Sequence, residues 1–325
     1  MIKKHTILVV IMTLAAIATQ AQTNNIGGKA IIEIFTNFHT GMYEYNDDRG
    51  FEMERSYLGY QYQINNELSI KSVLDIGMPK ATANDYERLV YVKHAHIKWQ
   101  HANWTIHAGL IPSLLYNIQD KTWGYRYIMQ SVQGEYKFGS SADLGVSAAY
   151  KIADWLEADI IIANGEGYKK IQQANGLLYG LGTTLKAPTG LMLRLYANIN
   201  EAPNNDGSNI VNYAMLSGYK TEKLWIGAEY TIAKNLKHIA NNNKTGLSAY
   251  VSAQIAKNSN IFVRFDKLTS INEAYNDNET AIIFGSQFKI GKHVYLAPNF
   301  RLYFDNNNSN TPNKYMLYIN SKFSL

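Results

Sequence analysis

Apolar and polar residues alternate with a period of two from about residue 29 to the end of the chain. The first predicted strand has an apolar face and a polar face, formed by Ile32, Ile34 and Phe38 and by Glu33, Asn37 and His39 respectively. Alternation of this kind is typical of a β-strand that is apolar on one side only. The pattern recurs about 16 times, so the sequence predicts an all-β protein of about 16 strands.

The connections between these segments alternate in length. Short turns are predicted at 65–66, 101–103, 153–154, 187–190, 221–223, 257–259 and 291–293. Longer polar stretches fall between them, at 78–87, 112–141, 164–176, 200–209, 233–245, 269–278 and 305–313. Outer-membrane barrels have short periplasmic turns and longer loops at the other end. This regularity predicts a transmembrane antiparallel β-barrel with both termini at the short-turn side.

Tyrosine is abundant, with 24 residues against 11 Phe and 5 Trp. Aromatic residues near the ends of the predicted apolar faces are Tyr60, Tyr62, Trp99, Trp104, Tyr150, Tyr179, Tyr230 and Tyr315. A transmembrane barrel uses such residues as girdles at the two membrane interfaces, whereas a soluble sandwich does not need them. An open sheet edge is too costly in lipid, so the strands are expected to close. A soluble extracellular β protein is the alternative.

The N-terminus has the features of a secretory signal peptide. Lys3 and Lys4 precede an apolar run over 7–18, and small residues end at Ala21. The predicted signal peptide covers 1–21, which leaves 22–325 as a single barrel domain in the bacterial outer membrane. The apolar run is too short to cross a bilayer as a helix. The chain contains no cysteine, so neither a disulfide frame nor a lipoprotein anchor is expected.

The stretch 112–141 is the longest connection and has no strand pattern of its own. Connections of this length are usually functional or disordered. This one mixes aromatic residues, which can pack on a wall, with charged residues, which can face water. A barrel of about 16 strands is too wide for side chains to fill, so we expect the stretch to fold inward and constrict a pore. An ordered surface loop outside the barrel is the alternative. The predicted constriction residues are Asp120, Lys121, Trp123, Tyr125, Arg126, Tyr127, Glu135 and Lys137.

The polar faces of the strands predict a charged lumen. The expected lining residues are Arg55, Lys71, Arg88, His94, His96, Lys98, His107, Arg194, Arg264, Asp266 and Arg301, with Lys322 also inward. The expected inward acids besides Asp266 are Glu33, Asp75, Asp143, Glu157, Asp159 and Glu229. Rings of one sign make a pore selective, but these charges nearly balance and many are expected to pair across strands. The hypothesis is a slight anion preference, with Arg126 as the charge that matters most.

Three histidines fall on the predicted lumen side. His94 and His96 share one face, and a turn at 101–103 is expected to set Trp99 opposite Trp104 and His96 opposite His107. Imidazoles in such a group can bind a transition metal or respond to pH. No carboxylate is fixed beside them by spacing, so solvated lumen histidines are the default interpretation, and no metal or cofactor is predicted.

The sequence carries no enzyme signature. It has no GxSxG, HExxH or P-loop motif and no cysteine nucleophile. The run Asn164-Gly165-Glu166-Gly167 lies between two predicted strands with no helix after it, so it indicates an exposed loop and not a phosphate cradle. The net charge of +5 is too small to favour nucleic acid as a partner.

Five segments carry a resemblance to a known family: 108–113 (AGLIPS), 120–128 (DKTWGYRYI), 138–151 (FGSSADLGVSAAYK), 154–170 (DWLEADIIIANGEGYKK) and 262–267 (FVRFDK). They resemble outer-membrane porins of Bacteroidetes-type bacteria and, more distantly, the phosphate-selective porin family. The resemblance implies a 16-stranded barrel, a homotrimer and a constriction loop inside the pore. Outer-membrane lipids, lipopolysaccharide and the barrel assembly machinery are the implied partners.

Two departures from that family limit the inference. Stretch 112–141 holds only three basic residues, Lys121, Arg126 and Lys137, offset by Asp120 and Glu135, so phosphate selectivity is not supported. The chain also ends in Leu325, with Phe323 two places early, which is an atypical assembly signal. The sequence therefore predicts a porin for passive diffusion of small hydrophilic solutes. A closed barrel with a structural or adhesive role is the alternative.

Overall fold

The chain folds into a closed barrel of antiparallel β-strands. The computed structural model describes residues 26–43, 47–77, 88–172, 175–204, 207–272, 277–305 and 313–325. Within these ranges sixteen strands each pair with their neighbours in sequence, and β1 pairs with β16 to close the sheet. The predicted all-β antiparallel barrel is confirmed. The predicted signal peptide, 1–21, lies outside the described residues.

The strands have the following bounds. They are β1 Gly27–Gly41, β2 Arg49–Gln63, β3 Leu68–Gly77, β4 Val90–His101, β5 Trp104–Pro112, β6 Ala142–Ala153, β7 Leu156–Ala163, β8 Leu178–Lys186, β9 Leu191–Asn200, β10 Ile210–Lys220, β11 Leu224–Lys234, β12 Lys244–Ala256, β13 Ser259–Ser270, β14 Glu279–Ile290, β15 Val294–Asp305 and β16 Lys314–Ser324. The closing register runs from Glu33 opposite Ser324 to Gly41 opposite Met316.

Short and long connections alternate around the barrel as the sequence predicts. The turns at one end contain two to four residues, whereas every connection at the other end is longer. Local chemistry fixes the tight turns. Asn65 accepts hydrogen bonds from the backbone N–H groups of Glu67 and Leu68, and Gly291 supplies a positive φ of 65°. Both described chain ends lie at the short-turn end, since β1 begins there and β16 ends there.

The outer surface is a continuous belt of exposed apolar side chains. Residues from all parts of the barrel contribute, among them Leu58, Val92, Ile97, Leu181, Leu195, Tyr213, Ile226, Val263, Phe284 and Ile319. An apolar surface of this extent is unlike that of a soluble monomer. Trp104 lies at a strand end on this surface and packs on Tyr150 with ring centroids 4.6 Å apart. Among the described residues, no helix has the length and apolar character needed to cross a membrane.

Two β-bulges break the alternation on the lumen side. Between β1 and β2 the register skips Glu54, and between β3 and β4 it skips Lys93. An extra residue in one strand leaves two consecutive side chains on the same side of the sheet. As a result Lys93 and His94 both point into the lumen, as do Glu54 and Arg55.

Candidate functional site in the barrel lumen

The connection between β5 and β6, residues 113–141, folds into the barrel and is called the internal loop below. It contains two short helices, α1 Asn117–Trp123 and α2 Val132–Glu135. Its Tyr125 hydroxyl lies 2.5 Å from Ser252 Oγ on β12, and Arg301 on β15 donates to its Ile128 carbonyl at 2.8 Å. These strands lie across the barrel from β5 and β6. The loop therefore crosses the lumen, and the alternative of a loop outside the barrel is wrong.

Aromatic side chains fix the internal loop to the far wall. Trp123 is 1% exposed and packs on Tyr250 with ring centroids 5.1 Å apart, while its indole N–H donates to the Met129 carbonyl at 2.8 Å. Tyr125 packs on Phe262 at 5.0 Å, and Tyr127 is buried as well. Packed rings of this size carry much of the stability of an interface. These three predicted constriction residues anchor the loop, and Tyr125 and Tyr127 also line a cavity of about 400 Å³ in the lumen.

Arginines on β9 and β13 bind the backbone of the internal loop. Arg264 donates to the Gln130 carbonyl at 2.7 Å and Arg194 donates to the Leu114 carbonyl at 3.1 Å. Each also has a carboxylate partner, Asp266 at 2.6 Å and Asp159 at 2.6 Å respectively. With Arg301, these predicted lining residues point inward but are buried beneath the loop. Most of their donors are used on carbonyls and carboxylates, so little of their charge reaches the open lumen.

Several other predicted inward charges also pair, as the sequence led us to expect. Arg55 lies 2.8 Å from Asp75, and Lys322 lies 3.4 Å from Glu33. Arg88 precedes β4 and donates to the Met53 carbonyl at 3.1 Å.

Arg126 forms an ion pair within the internal loop. Its Nε lies 3.0 Å from a carboxylate oxygen of Asp120, its side chain is 20% exposed, and its guanidinium lies 5.8 Å from the centre of the Tyr57 ring. Burial alone would lower the pKa of Arg126, but the nearby Tyr57 and Asp120 hold that pKa above its ordinary value. Asp120 also accepts from the Ser131 backbone N–H at 3.1 Å. Arg126 thus stabilises the loop, and Asp120 offsets its charge.

The remaining predicted constriction residues lie elsewhere on the internal loop. Lys121 on α1 and Lys137 after α2 are exposed, whereas Glu135 is partly buried. Burial raises the pKa of Glu135. Desolvation in the lumen, together with the charges of Lys98 and Lys186, lowers the pKa of Lys121.

The wall formed by β3, β4 and β5 carries lysines and histidines that the internal loop leaves uncovered in part. Lys71 lies directly opposite His96, and Lys98 lies directly opposite His107. The His96 ring centre is 5.1 Å from that of His107 and 5.7 Å from that of His94. The predicted histidine cluster therefore forms.

The register within that cluster differs from the prediction. Trp99 lies opposite Ile106 and not Trp104, and His96 lies opposite Gly109 and not His107. The turn is shorter than expected, because residues 102–103 alone connect the strands. A shift of two residues leaves every side chain on its predicted face.

Lys93 is a lumen residue that period-two reasoning missed. Strict alternation from His94 and His96 assigns it to the outer face, but the bulge in β4 turns it inward. Its ammonium donates to the Tyr57 hydroxyl at 3.1 Å and lies 4.4 Å from the centre of that ring. Two adjacent polar residues in an otherwise alternating strand are the signal that indicates such a bulge. A second missed contact joins Tyr168, in the connection 164–177, to Asp75.

Cavities lie on both sides of the internal loop. A cavity of about 820 Å³ opens toward the long connections and is lined in part by Lys137. Two cavities, of about 610 and 400 Å³, lie toward the short turns. The first of these contains His107 and Lys121, and the second contains Lys289 and Lys322. Within the described part of the chain, no group of three or more His, Cys, Asp or Glu residues is placed to hold a metal ion.

Comparison of the sequence with protein-family models and with curated proteins gave no match. Solved structures of similar fold do exist. Salmonella typhi OmpF, in complex with daunomycin, matches with a TM-score of 0.70 at 14% identity over 91% of this chain and 97% of that one. An anion-selective porin from Comamonas acidovorans gives 0.69 at 10% identity over 93% and 100%. A trimer form of the Vibrio cholerae outer-membrane protein OmpT gives 0.59 at 11% over 92% and 99%. At these identities the likeness establishes one thing, that this chain has the barrel fold of outer-membrane porins.

Proposed function

We propose that this protein is a porin of the bacterial outer membrane, through which small hydrophilic solutes diffuse passively. The observation that carries the proposal is the internal loop. It lies across the lumen of a wide barrel, and cavities lined in part by charged residues remain on both of its sides. A loop packed in this way narrows a channel and does not fill the whole interior. No cofactor and no catalytic role are part of the proposal.

The charges on the two walls support a weak preference for anions. On β9 and β13, Arg194 and Arg264 are paired with Asp159 and Asp266 and covered by the loop. On the β3–β5 wall, Lys71 and Lys98 have no carboxylate oxygen within 4.0 Å among the described residues. The open part of the lumen is therefore more basic than the balanced total suggests. Fixed charge of one sign along a pore favours counter-ions.

The outer belt of apolar side chains supports placement in a bilayer, with aromatic residues such as Trp104 and Tyr150 at an interface. Lipids and lipopolysaccharide are then the surrounding partners, and export would use the predicted signal peptide at 1–21. The barrel assembly machinery would insert the chain. A homotrimer is part of this proposal, in line with the trimer form of OmpT.

Single-channel conductance in a planar bilayer tests the proposal. The refolded full-length mature chain is compared with a variant in which residues 123–136 are replaced by a short Gly/Ser linker. We expect steady conductance in the wild type and a larger conductance in the variant, because the linker removes the aromatic and arginine contacts that hold the loop across the lumen. A matched control replaces the same number of residues in the connection 164–177 and tests for a general effect of shortening.

Two results would overturn parts of this proposal. Absence of conductance in both proteins, with correct folding shown by heat-modifiable migration on a gel, favours the closed structural or adhesive barrel. Equal conductance in both means that the internal loop does not set the aperture.

A further inference from the structure

The strand register places basic residues side by side on the β3–β5 wall. Lys71 faces His96 across the β3–β4 pair, and Lys98 faces His107 across the β4–β5 pair. Directly opposed residues of a sheet are its closest side-chain neighbours, so each of these two ammonium groups lies beside an imidazole. Lys121 on α1 adds a third ammonium from the internal loop, and its pKa is lowered first by desolvation and then by the charge of Lys98. The arrangement has no evident value for the stability of the barrel.

None of these three ammonium groups forms an ion pair with a described residue, although Glu33 acts electrostatically on Lys71 and Glu157 lines the same cavity as Lys121. Some other cations of the lumen do have a carboxylate at short distance, as Arg55 has in Asp75 at 2.8 Å, whereas Lys289 in the second short-turn cavity has none among the described residues. Within the described ranges, Lys71, Lys98 and Lys121 have no carboxylate oxygen within 4.0 Å. A group of cations without ion-pair partners attracts anions from solution.

Two members of the group reach a cavity, and two imidazole nitrogens of the same wall lack hydrogen-bond partners among the described residues. His107 and Lys121 line the 610 Å³ cavity on the short-turn side, and Lys121 is exposed to it. The Nδ1 atoms of His94 and His107 are buried and have no hydrogen-bond partner among the described residues. Each ammonium offers three donors, and a neutral imidazole offers one. An ion with several acceptor oxygens uses such donors better than a monatomic ion does.

We propose that Lys71, Lys98, Lys121 and His107 form a binding site for a small divalent oxyanion, such as sulfate or a short dicarboxylate. This inference deepens the proposed channel function, in that the site would hold an anion on its way through the lumen. It stands apart from that function in one respect, because binding can be measured without conduction. Two negative charges match the separate ammonium groups, and the oxyanion oxygens accept their N–H groups.

Equilibrium dialysis of radiolabelled sulfate against the detergent-solubilised barrel tests the site. We expect saturable binding to the wild type at moderate ionic strength. Lys98→Gln should weaken it about tenfold or more, as expected for loss of one charge-assisted hydrogen-bonding group. The matched control is Lys289→Gln, an inward lysine that lines the other short-turn cavity, and it should bind sulfate as the wild type does. Succinate and chloride are then added as competitors of the bound sulfate. Displacement by succinate indicates a site that takes dicarboxylates, displacement by neither indicates a site for inorganic oxyanions, and equal displacement by chloride indicates simple charge screening.

The outcomes of the binding experiment distinguish a failure of the proposed anion site from a failure of the proposed channel function. Saturable sulfate binding that Lys98→Gln weakens and Lys289→Gln does not supports the site, whether or not the barrel conducts. No saturable binding by the wild type overturns it, even if the barrel conducts. Equal weakening in Lys98→Gln and Lys289→Gln also overturns it, because the effect then belongs to the general field of the lumen.

Folding of the variants is controlled separately. If Lys98→Gln fails to show heat-modifiable migration, Lys121→Gln on the internal loop takes its place, since an exposed loop residue is not needed for strand pairing. Lys98 has no ion-pair partner among the described residues, so its replacement by Gln should leave unfolding resistance unchanged or higher. A structural role for Lys98 predicts the opposite, a barrel that unfolds more readily.

Discussion

Arg264 and Asp266 lie two residues apart on β13 and form a two-pronged ion pair inside the lumen. The guanidinium Nε lies 2.9 Å from one carboxylate oxygen and a terminal nitrogen lies 2.6 Å from the other. Arg264 also donates to the Gln130 carbonyl, and its guanidinium is 4.8 Å from the centre of the Trp123 ring. Side chains at i and i+2 of a strand share a face, so both groups point at the internal loop. One wall residue thus holds both the backbone and the main aromatic anchor of the loop.

Truncation of this arginine should loosen the internal loop. Arg264→Ala leaves Asp266 as a buried charge without its partner, which typically costs about 3–5 kcal/mol. We expect a lower denaturation midpoint in urea and noisier single-channel currents. The double variant Arg264→Leu/Asp266→Leu removes both charges and should recover part of the midpoint. A double variant no more stable than Arg264→Ala would show that the ion pair is not the source of the loss.

The alternation of residues predicts the side of the barrel on which most side chains lie, but not their partners across the sheet. Trp99 and His107 show the difference. Both lie on the predicted face, yet both have neighbours two positions from the expected ones. The reason is that a turn can lose two residues without moving any side chain to the other face. The face is a property of one strand, whereas the register depends on turn length.

A second part of the candidate site could not be predicted from the sequence, because the internal loop decides which inward residues remain accessible in the lumen. Arg194 and Lys71 look alike in the pattern, since both are inward cations. The loop covers Arg194, which is 0% exposed, and leaves Lys71 partly accessible. No period-two pattern describes residues 113–141, so their path across the barrel does not follow from it. Lys93 was missed for another reason. A bulge in β4 turns its side chain to the face opposite to the one that strict alternation predicts.

Trp123 should be the most sensitive single position of the internal loop. Trp123→Ala removes a fully buried ring packed on Tyr250, and large-to-small changes of this kind cost about 3–5 kcal/mol. We expect the loop to become susceptible to trypsin at Lys121 or Arg126 in the folded barrel. Trp155→Ala is the matched control, because Trp155 is 52% exposed in a short turn. Resistance to trypsin in Trp123→Ala equal to that of the control would contradict the anchoring role.

Gly182 allows the pairing of Arg194 with Asp159 across an intervening strand. A Cβ at this position on β8 would lie 2.4 Å from Asp159 Oδ1 and 2.7 Å from a terminal nitrogen of Arg194. Both groups are buried and bonded to each other, so Gly182→Ala should force them apart. We expect destabilisation of about 3 kcal/mol, the scale of a broken buried ion pair, in urea unfolding followed by tryptophan fluorescence. Gly50→Ala is the control, since an added Cβ there has nothing within 4 Å.

Lys121 should give the anion preference a pH dependence. Its pKa lies below the ordinary value of 10.5, because desolvation and the charges of Lys98 and Lys186 disfavour its protonated form. The ammonium is charged below that lowered pKa and neutral above it. The anion preference, measured as the reversal potential in a salt gradient, should therefore begin to fall at a pH below 10.5.

Two variants isolate this contribution from the titration of other lysines. Lys121→Arg keeps its charge throughout the range, since a guanidinium has a pKa above about 12, and its reversal potential should fall less at alkaline pH than that of the wild type. Lys121→Gln lacks the charge at every pH, so its anion preference should be lower at neutral pH and should meet that of the wild type at alkaline pH. Titration curves of Lys121→Arg and wild type that coincide would mean that the Lys121 ammonium does not act on ions in the aperture, and that the neighbouring strands set the selectivity by themselves.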